Sequence, residues 1–193
     1  MAFNEVSDWQ NRPSIKMHVP EIFETARLRL RSPRQEDAKV IFDTYAQDPT
    51  VTRYLVWLPH QSITTTEKFI ALCIEQWANG SAFPYVITQK SDAQVIGMID
   101  LRPHRHGANV GYVLAKEYWG QGMMTEAARC VVEYALAQRG LYRLQAFCDV
   151  GNIGSARVLE KVVMRREGIL RRYIVHPAVS SEPRDCYLYA ITR

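Results

Sequence analysis

The residues best equipped for chemistry are Gly120-Gln121-Gly122-Met123-Met124-Thr125, lying between a strand-like run and a long helical stripe. Glycines there let the backbone turn tightly and approach a ligand with no Cβ in the way. The N–H groups that open the following helix have no partners inside it, and the helix dipole stands behind them, which suits a phosphate. A plain tight turn would use the same two glycines, and the pair alone does not separate the readings. Two nucleotide motifs are excluded. A Walker loop needs lysine and Ser/Thr after its second glycine, where Met123-Met124 stand, and a dinucleotide fingerprint needs a third glycine where Thr125 stands. Cys73, Cys130, Cys148 and Cys186 show no C-x-x-C spacing, so neither a disulfide framework nor zinc is indicated. His104 and His106 lack a third ligand at sensible spacing, and no metal is expected.

The elements that must position this loop follow from periodicity. Residues 1–24, with Pro13 and Pro20, show no sustained period and read as a partly ordered N-terminal arm. Arg27-Leu28-Arg29-Leu30-Arg31 alternates as a half-buried strand does. Ser32-Pro33-Arg34-Gln35 then carries the signature of a capped helix start, predicting a helix to about Gln47 that buries Val40, Ile41 and Tyr45. Thr64-Thr65-Thr66-Glu67 is a second capping box, and Asn79-Gly80 is its stop. Residues 83–88, 95–101 and 109–114 are β-branched and aromatic runs separated by polar turns. After the glycine loop, Ala127, Ala128, Val131, Val132, Ala135 and Leu136 form a helical stripe, with Gly140 placed as its C-terminal cap. Residues 144–148 read as a strand, Asn152 caps a helix ending near Lys161, and residues 165–175 and 187–191 read as two final strands. The pattern predicts one α+β domain over 25–193, with a mixed, mostly antiparallel central sheet flanked by helices.

Composition narrows the setting. The chain has 193 residues, net charge +4, 47% hydrophobic and 23% charged residues, as a single globular domain does. The longest relevant apolar stretch is Leu55-Val56-Trp57-Leu58, far short of the roughly 20 residues of a membrane span. Met1-Ala2-Phe3-Asn4-Glu5 does not begin like a secretory signal, so a cytoplasmic enzyme or binding protein is expected, with no membrane partner. Arg165-Arg166 and Arg171-Arg172 are the only dense basic spots, too short to support nucleic-acid binding.

The run from Val110-Gly111-Tyr112-Val113-Leu114 through Trp119-Gly120-Gln121-Gly122-Met123-Met124-Thr125-Glu126-Ala127 resembles the acyl-coenzyme A loop of the GNAT superfamily of N-acetyltransferases. More narrowly, the chain resembles the group containing the ribosomal-protein alanine and serine N-acetyltransferases. Thr25-Ala26-Arg27-Leu28-Arg29-Leu30 matches that group's opening strand, and Tyr54-Leu55 with Trp57 and Pro59-His60 its acceptor-side segment. Asn152, Ser155 and Val158-Leu159-Glu160-Lys161, followed by Arg166-Glu167-Gly168, match its late motif. Three departures stand out: Asn109 where many relatives carry Glu, Glu117 where the wider motif has Gln or Arg, and Val163-Met164 in place of Gly-Phe.

The resemblance implies a GNAT-like domain whose central strands splay to admit acetyl-CoA, used as cosubstrate without a metal. It implies that Val113 and Leu114 pair with the pantetheine arm, and that Gln121, Gly122, Met123, Met124 and Thr125 cradle the pyrophosphate. Asn152 would cap its helix and also reach the coenzyme. The Leu114 amide would polarise the thioester carbonyl, and Ser155 would protonate the departing thiolate. Tyr54 and Trp57 would line the acceptor side, with Asp100 a carboxylate for the amine or an edge hydrogen-bonding group. The implied reaction is direct acetyl transfer to a primary amine, on a peptide N-terminus or a small molecule such as a polyamine, amino acid or antibiotic. A coenzyme A-binding module without catalysis is the rival reading, motivated by Asn109. The resemblance is compatible with a monomer or a homodimer.

Overall fold

The computed structural model describes residues 17–193. The first 16 residues of the expected arm lie outside them. The rest of that arm belongs to the domain: Met17 is buried in the core, and β1 (Ile22–Glu24) pairs antiparallel with β2 (Leu28–Arg31). Strand alternation in β2 buries Leu28 and Leu30 completely and turns Arg29 to solvent.

The first helix departs from its expected start. Ser32 does not cap it; α1 (Asp37–Ile41) opens after Glu36 with no side-chain cap. The largely buried Asp37 carboxylate replaces that cap, accepting the Arg34 N–H at 2.7 Å and two Arg31 guanidinium contacts at 2.8 and 2.5 Å. An ion pair to the neighbouring strand therefore sets where the helix begins. Beyond Ile41 the chain continues as a π-helical turn, Phe42–Ala46; Ile41 and Tyr45 are buried as expected, while Val40, expected inside, is exposed. A short helix α2 (Pro49–Thr52) follows, capped by Asp48, whose carboxylate accepts the Thr50 N–H at 2.7 Å.

Helix α3 (Ile63–Asn79) starts after Ser62, ahead of the expected Thr64. Thr66 is committed elsewhere: its hydroxyl is buried against His60 Nδ1 at 2.7 Å. Gly80 ends α3 in the left-handed region, as expected. Strands β3 (Phe83–Gln89), β4 (Val95–His104) and β5 (Gly107–Leu114) form a meander, and α4 (Met123–Ala137) follows the glycine loop. Gly140 is not the α4 cap. The helix stops at Gln138, whose N–H bonds to Ala135 O at 3.1 Å, and Gly140, at φ +84°, turns the chain towards β6 (Arg143–Asp149). Helix α5 (Ile153–Lys161) and strands β7 (Arg165–Ile174) and β8 (Arg184–Thr192) complete the fold.

The eight strands lie in the order β1-β2-β3-β4-β5-β6-β8-β7, antiparallel throughout except between β5 and β6. Successive residues of β4 face opposite layers: Ile96 and Ile99 pack with α4 and α5, whereas Val95 and Met98 pack with α1 and α3. β4 is therefore buried on both faces, beside the strand that makes the sheet's one parallel joint.

Candidate active site

That joint is short. β5 and β6 are in register only at Gly107 with Arg143, Ala108 with Leu144 and Asn109 with Gln145. Beyond it, residues 110–114 of β5 have no β6 partner among the described residues. Asn109 sits at the parting point, where its Oδ1 accepts the Gln145 amide at 2.9 Å and Gln145 Oε1 accepts Arg143 Nε at 2.6 Å. The asparagine found in place of a glutamate thus pins the apex of the split. Ala115 donates its N–H to Ile96 O on β4 at 2.8 Å. Since successive peptide groups of a strand point to opposite sides, the Leu114 N–H faces away from β4, into the split. The Trp119 indole N–H holds the Leu114 carbonyl at 2.8 Å, fixing the next peptide along, Leu114–Ala115.

The glycine loop follows the same strand after a short helical turn at Lys116–Tyr118. Gly120 and Gly122 have φ of +75° and +76°, and Gly122 is the cap residue of α4, with no side-chain cap. The Glu126 N–H is the first to bond within the helix, to Gly122 O at 3.0 Å, so those of Met123, Met124 and Thr125 have no partner inside it. Both methionine side chains are buried in the core, leaving only their backbone at the surface. A brace behind the loop was not read as part of the site. Glu126 accepts the Thr25 hydroxyl at 2.6 Å, the Arg27 N–H at 2.8 Å and Arg27 Nε at 2.7 Å, while Arg27 Nη1 donates to Gln121 O at 3.1 Å. Burial alone would push the Glu126 carboxyl up, but these donors leave it below the ordinary glutamate value. An unpaired strand edge ending in free helix N–H groups fits an extended molecule with amides followed by phosphates, as acetyl-CoA has.

The split opens into a cleft of about 710 Å³ that brings Tyr54, Trp57 and Asp100 together with Val113, Asn152 and Ser155. Gly122 and Thr125 instead border a separate groove with Arg27 and Glu126. Asn152 caps α5 as expected, accepting the Ser155 N–H at 3.2 Å. The Ser155 hydroxyl lies 2.9 Å from the Tyr112 hydroxyl, which also donates to Ser155 O at 3.1 Å. Tyr112 was missed as a site residue, although its place two residues before Leu114 puts it on the same strand edge. Burial holds its phenol well above the ordinary value, so it stays a neutral hydrogen-bonding group. Cys148, also in the cleft, is pushed up to about 12 by burial, leaving the thiol protonated and poorly nucleophilic at neutral pH.

Asp100 projects from β4 opposite Gly111. Its Oδ1 accepts the Gly111 N–H at 3.1 Å, and Arg102 Nη2 lies 2.5 Å from Oδ2. A Cβ at Gly111 would stand 3.0 Å from Oδ1, so the glycine makes room for the carboxylate. Burial outweighs both partners and raises the carboxyl above the ordinary aspartate value. Trp57 packs against His60 with ring centroids 4.6 Å apart and planes tilted by 40°, and reaches Phe69 at 6.4 Å, making an aromatic wall on the same cleft.

The acetyltransferase (GNAT) domain model matches residues 27–165. The chain is 32% identical to the uncharacterized N-acetyltransferase p20 of Bacillus licheniformis, over 79% of this chain and 87% of that protein. It is 24% identical to the ribosomal protein uS5-alanine N-acetyltransferase of Escherichia coli, over 92% and 94% of the two chains. In structure it resembles the microcin C7 self-immunity acetyltransferase MccE, solved with acetyl-CoA and AMP, with a TM-score of 0.80 over 91% of this chain and 98% of that one at 20% identity. The chain belongs to the GNAT family of N-acetyltransferases, which take their acetyl group from acetyl-CoA.

Proposed function

We propose that the enzyme acetylates the free amino terminus of a peptide or protein, in the cytoplasm, by direct transfer within a ternary complex. Acetyl-CoA supplies the activated acetyl thioester. Val113 and Leu114 hold its pantetheine arm along the open edge of β5, and backbone N–H groups from Gln121 to Thr125, with Asn152 nearby, hold its phosphates. The Leu114 N–H stabilises the oxyanion as the amine nitrogen bonds to the acetyl carbon. The C–S bond then breaks, and Ser155 gives its proton to the departing thiolate and regains one from solvent, to which Asp100 later releases the amine proton. Asp100 takes the proton released by the amine, a task its raised pKa favours. A free α-amino group has a pKa of about 7.7–8.0, so part of it is already neutral and the base carries a modest load.

The observation that carries the acceptor reading is the charge of the cleft. Asp100 is the one acidic side chain among the described residues lining it, and Arg102 already faces that carboxylate. A polyamine or aminoglycoside brings several positive charges and would leave most of them unpaired there, an outcome that buried sites disfavour strongly. A peptide N-terminus brings one, followed by neutral backbone. The match to a ribosomal-protein alanine N-acetyltransferase supports the same choice. The test is a thiol-release screen of unblocked peptides against polyamines, amino acids and aminoglycosides at equal concentration. Peptides should give the highest kcat/KM; a polycation turning over faster sinks the peptide reading.

The aromatic wall makes a second prediction. Trp57→Ala should raise acceptor KM roughly fivefold, matching the loss of about 1 kcal/mol of ring contact. The melting temperature should change little, because Trp57 is only half-buried. A large drop in melting temperature with an unaltered acceptor profile would assign Trp57 to packing instead.

A further inference from the structure

His176, in the connection between β7 and β8, is 4% exposed and borders the cleft, yet no sequence pattern singled it out. Its Nδ1 lies 3.4 Å from Leu55 O, and its ring meets the Tyr54 ring edge-on at 6.3 Å. On its other side Nε2 stands 3.9 Å from Asp149 Oδ2 and 3.9 Å from Cys186 Sγ. A carbonyl only accepts, so Nδ1 must carry the proton for the Leu55 contact to form.

Asp149 is itself a junction. Its fully buried carboxylate accepts Arg184 Nε at 2.6 Å, Arg184 Nη2 at 3.1 Å and the Gly151 N–H at 2.8 Å. Burial would raise it, but Arg184, the Gly151 amide and His176 together hold it below the ordinary aspartate value. Its carbonyl takes the Asn152 N–H at 2.8 Å, so Asp149 shapes the turn that delivers Asn152 and Ser155. The Tyr54 hydroxyl packs on that same turn: a Cβ at Gly151 would lie 2.9 Å from it.

We propose that His176 is a positioning residue, seating the Tyr54–Trp57 segment at a fixed distance from the turn that carries Ser155. The proposal rests on the reading of that segment as the acceptor wall. Without the Nδ1 donor the Leu55 peptide is untied from the β7–β8 connection, and the wall drifts relative to the reacting centre. The coenzyme side keeps its hold, because Val113, Leu114 and the glycine loop make none of these contacts and Asn152 is tied to Asp149 through backbone groups that a change at His176 leaves in place.

Three variants separate this from simple packing: His176→Asn, His176→Gln and His176→Phe. Asparagine places an amide N–H where Nδ1 stood, whereas glutamine places it nearer to Nε2, and phenylalanine keeps the ring without a donor. Using the best acceptor from the amine screen, His176→Gln and His176→Phe should raise acceptor KM about tenfold, the scale of one net hydrogen bond, with acetyl-CoA affinity by calorimetry unchanged. His176→Asn should stay within about twofold of the parent by restoring that bond. Equal acceptor KM in the asparagine and glutamine variants overturns the proposal, and this pair decides even where the phenylalanine variant does not fold. If Trp57→Ala shifts acceptor KM while none of the His176 variants does, the acceptor wall stands and His176 is merely packed. If neither residue shifts it, the acceptor-wall reading falls and takes the proposal with it.

Discussion

Ser155→Ala should lower kcat by about ten- to a hundredfold while acetyl-CoA affinity stays near its original value, the lower range of general-acid effects. The substitution is clean. Asn152 caps α5 through the Ser155 backbone N–H, which alanine retains, so the helix start survives the change. The effect stays modest for two reasons. A thiol of pKa about 8.5 leaves adequately without help at neutral pH. The Tyr112 hydroxyl, 2.9 Å from Ser155 Oγ, also remains beside the vacated position. Because protonation matters only as the C–S bond breaks, the loss belongs in kcat and not in acetyl-CoA binding. Equal kcat values in the two proteins would return Ser155 to the role of an ordinary helix residue.

Gly122→Asp should weaken acetyl-CoA binding by more than tenfold. The position has φ +76°, which aspartate and asparagine tolerate better than other side chains. A Cβ there meets nothing nearer than Arg27 Nη2 at 3.7 Å, so the fold admits it. The carboxylate would then sit at the N-terminus of α4 and accept from the same free N–H groups that the phosphates need. It competes for the anion site, so affinity should fall, while the positive φ strains any side chain and the melting temperature should drop modestly. Gly122→Asn has the same shape without the charge and should lose much less. Calorimetry comparing the two variants at low and high salt reads the charge term directly, since added salt screens it. An aspartate variant that binds acetyl-CoA as tightly as the parent would remove the loop from the site.

Much of the fold was legible because its signals are local. The alternation in Arg27–Arg31 produced β2, the apolar stripe from Ala127 to Leu136 produced α4, and Asn152 capped α5 through Ser155. Gly80 ended α3 for the steric reason that makes glycine preferred there. The α1 boundary was overruled by a side chain six positions away on the neighbouring strand. Arg31 drew Asp37 into an ion pair and moved the start of α1, and α3 began after Ser62, ahead of the expected Thr64 cap. Gly140 yielded because Gln138 ended α4 first and the turn into β6 needed a positive φ.

By itself, then, the sequence determined most of the elements, their order and the glycine loop, since each depends on residues within a turn or two of one another. Only the tertiary structure decided the site those elements enclose. The split between β5 and β6 depends on a parallel pairing that stops at Asn109 and Gln145, 36 positions apart in the chain. Asp100, Ser155 and the Tyr54–Trp57 segment enter one cleft from three separate regions, and His176 reaches that segment across 121 positions. Such contacts leave no periodic trace, because the energy that selects them is gained only when the sheet has assembled and brought both partners out of water.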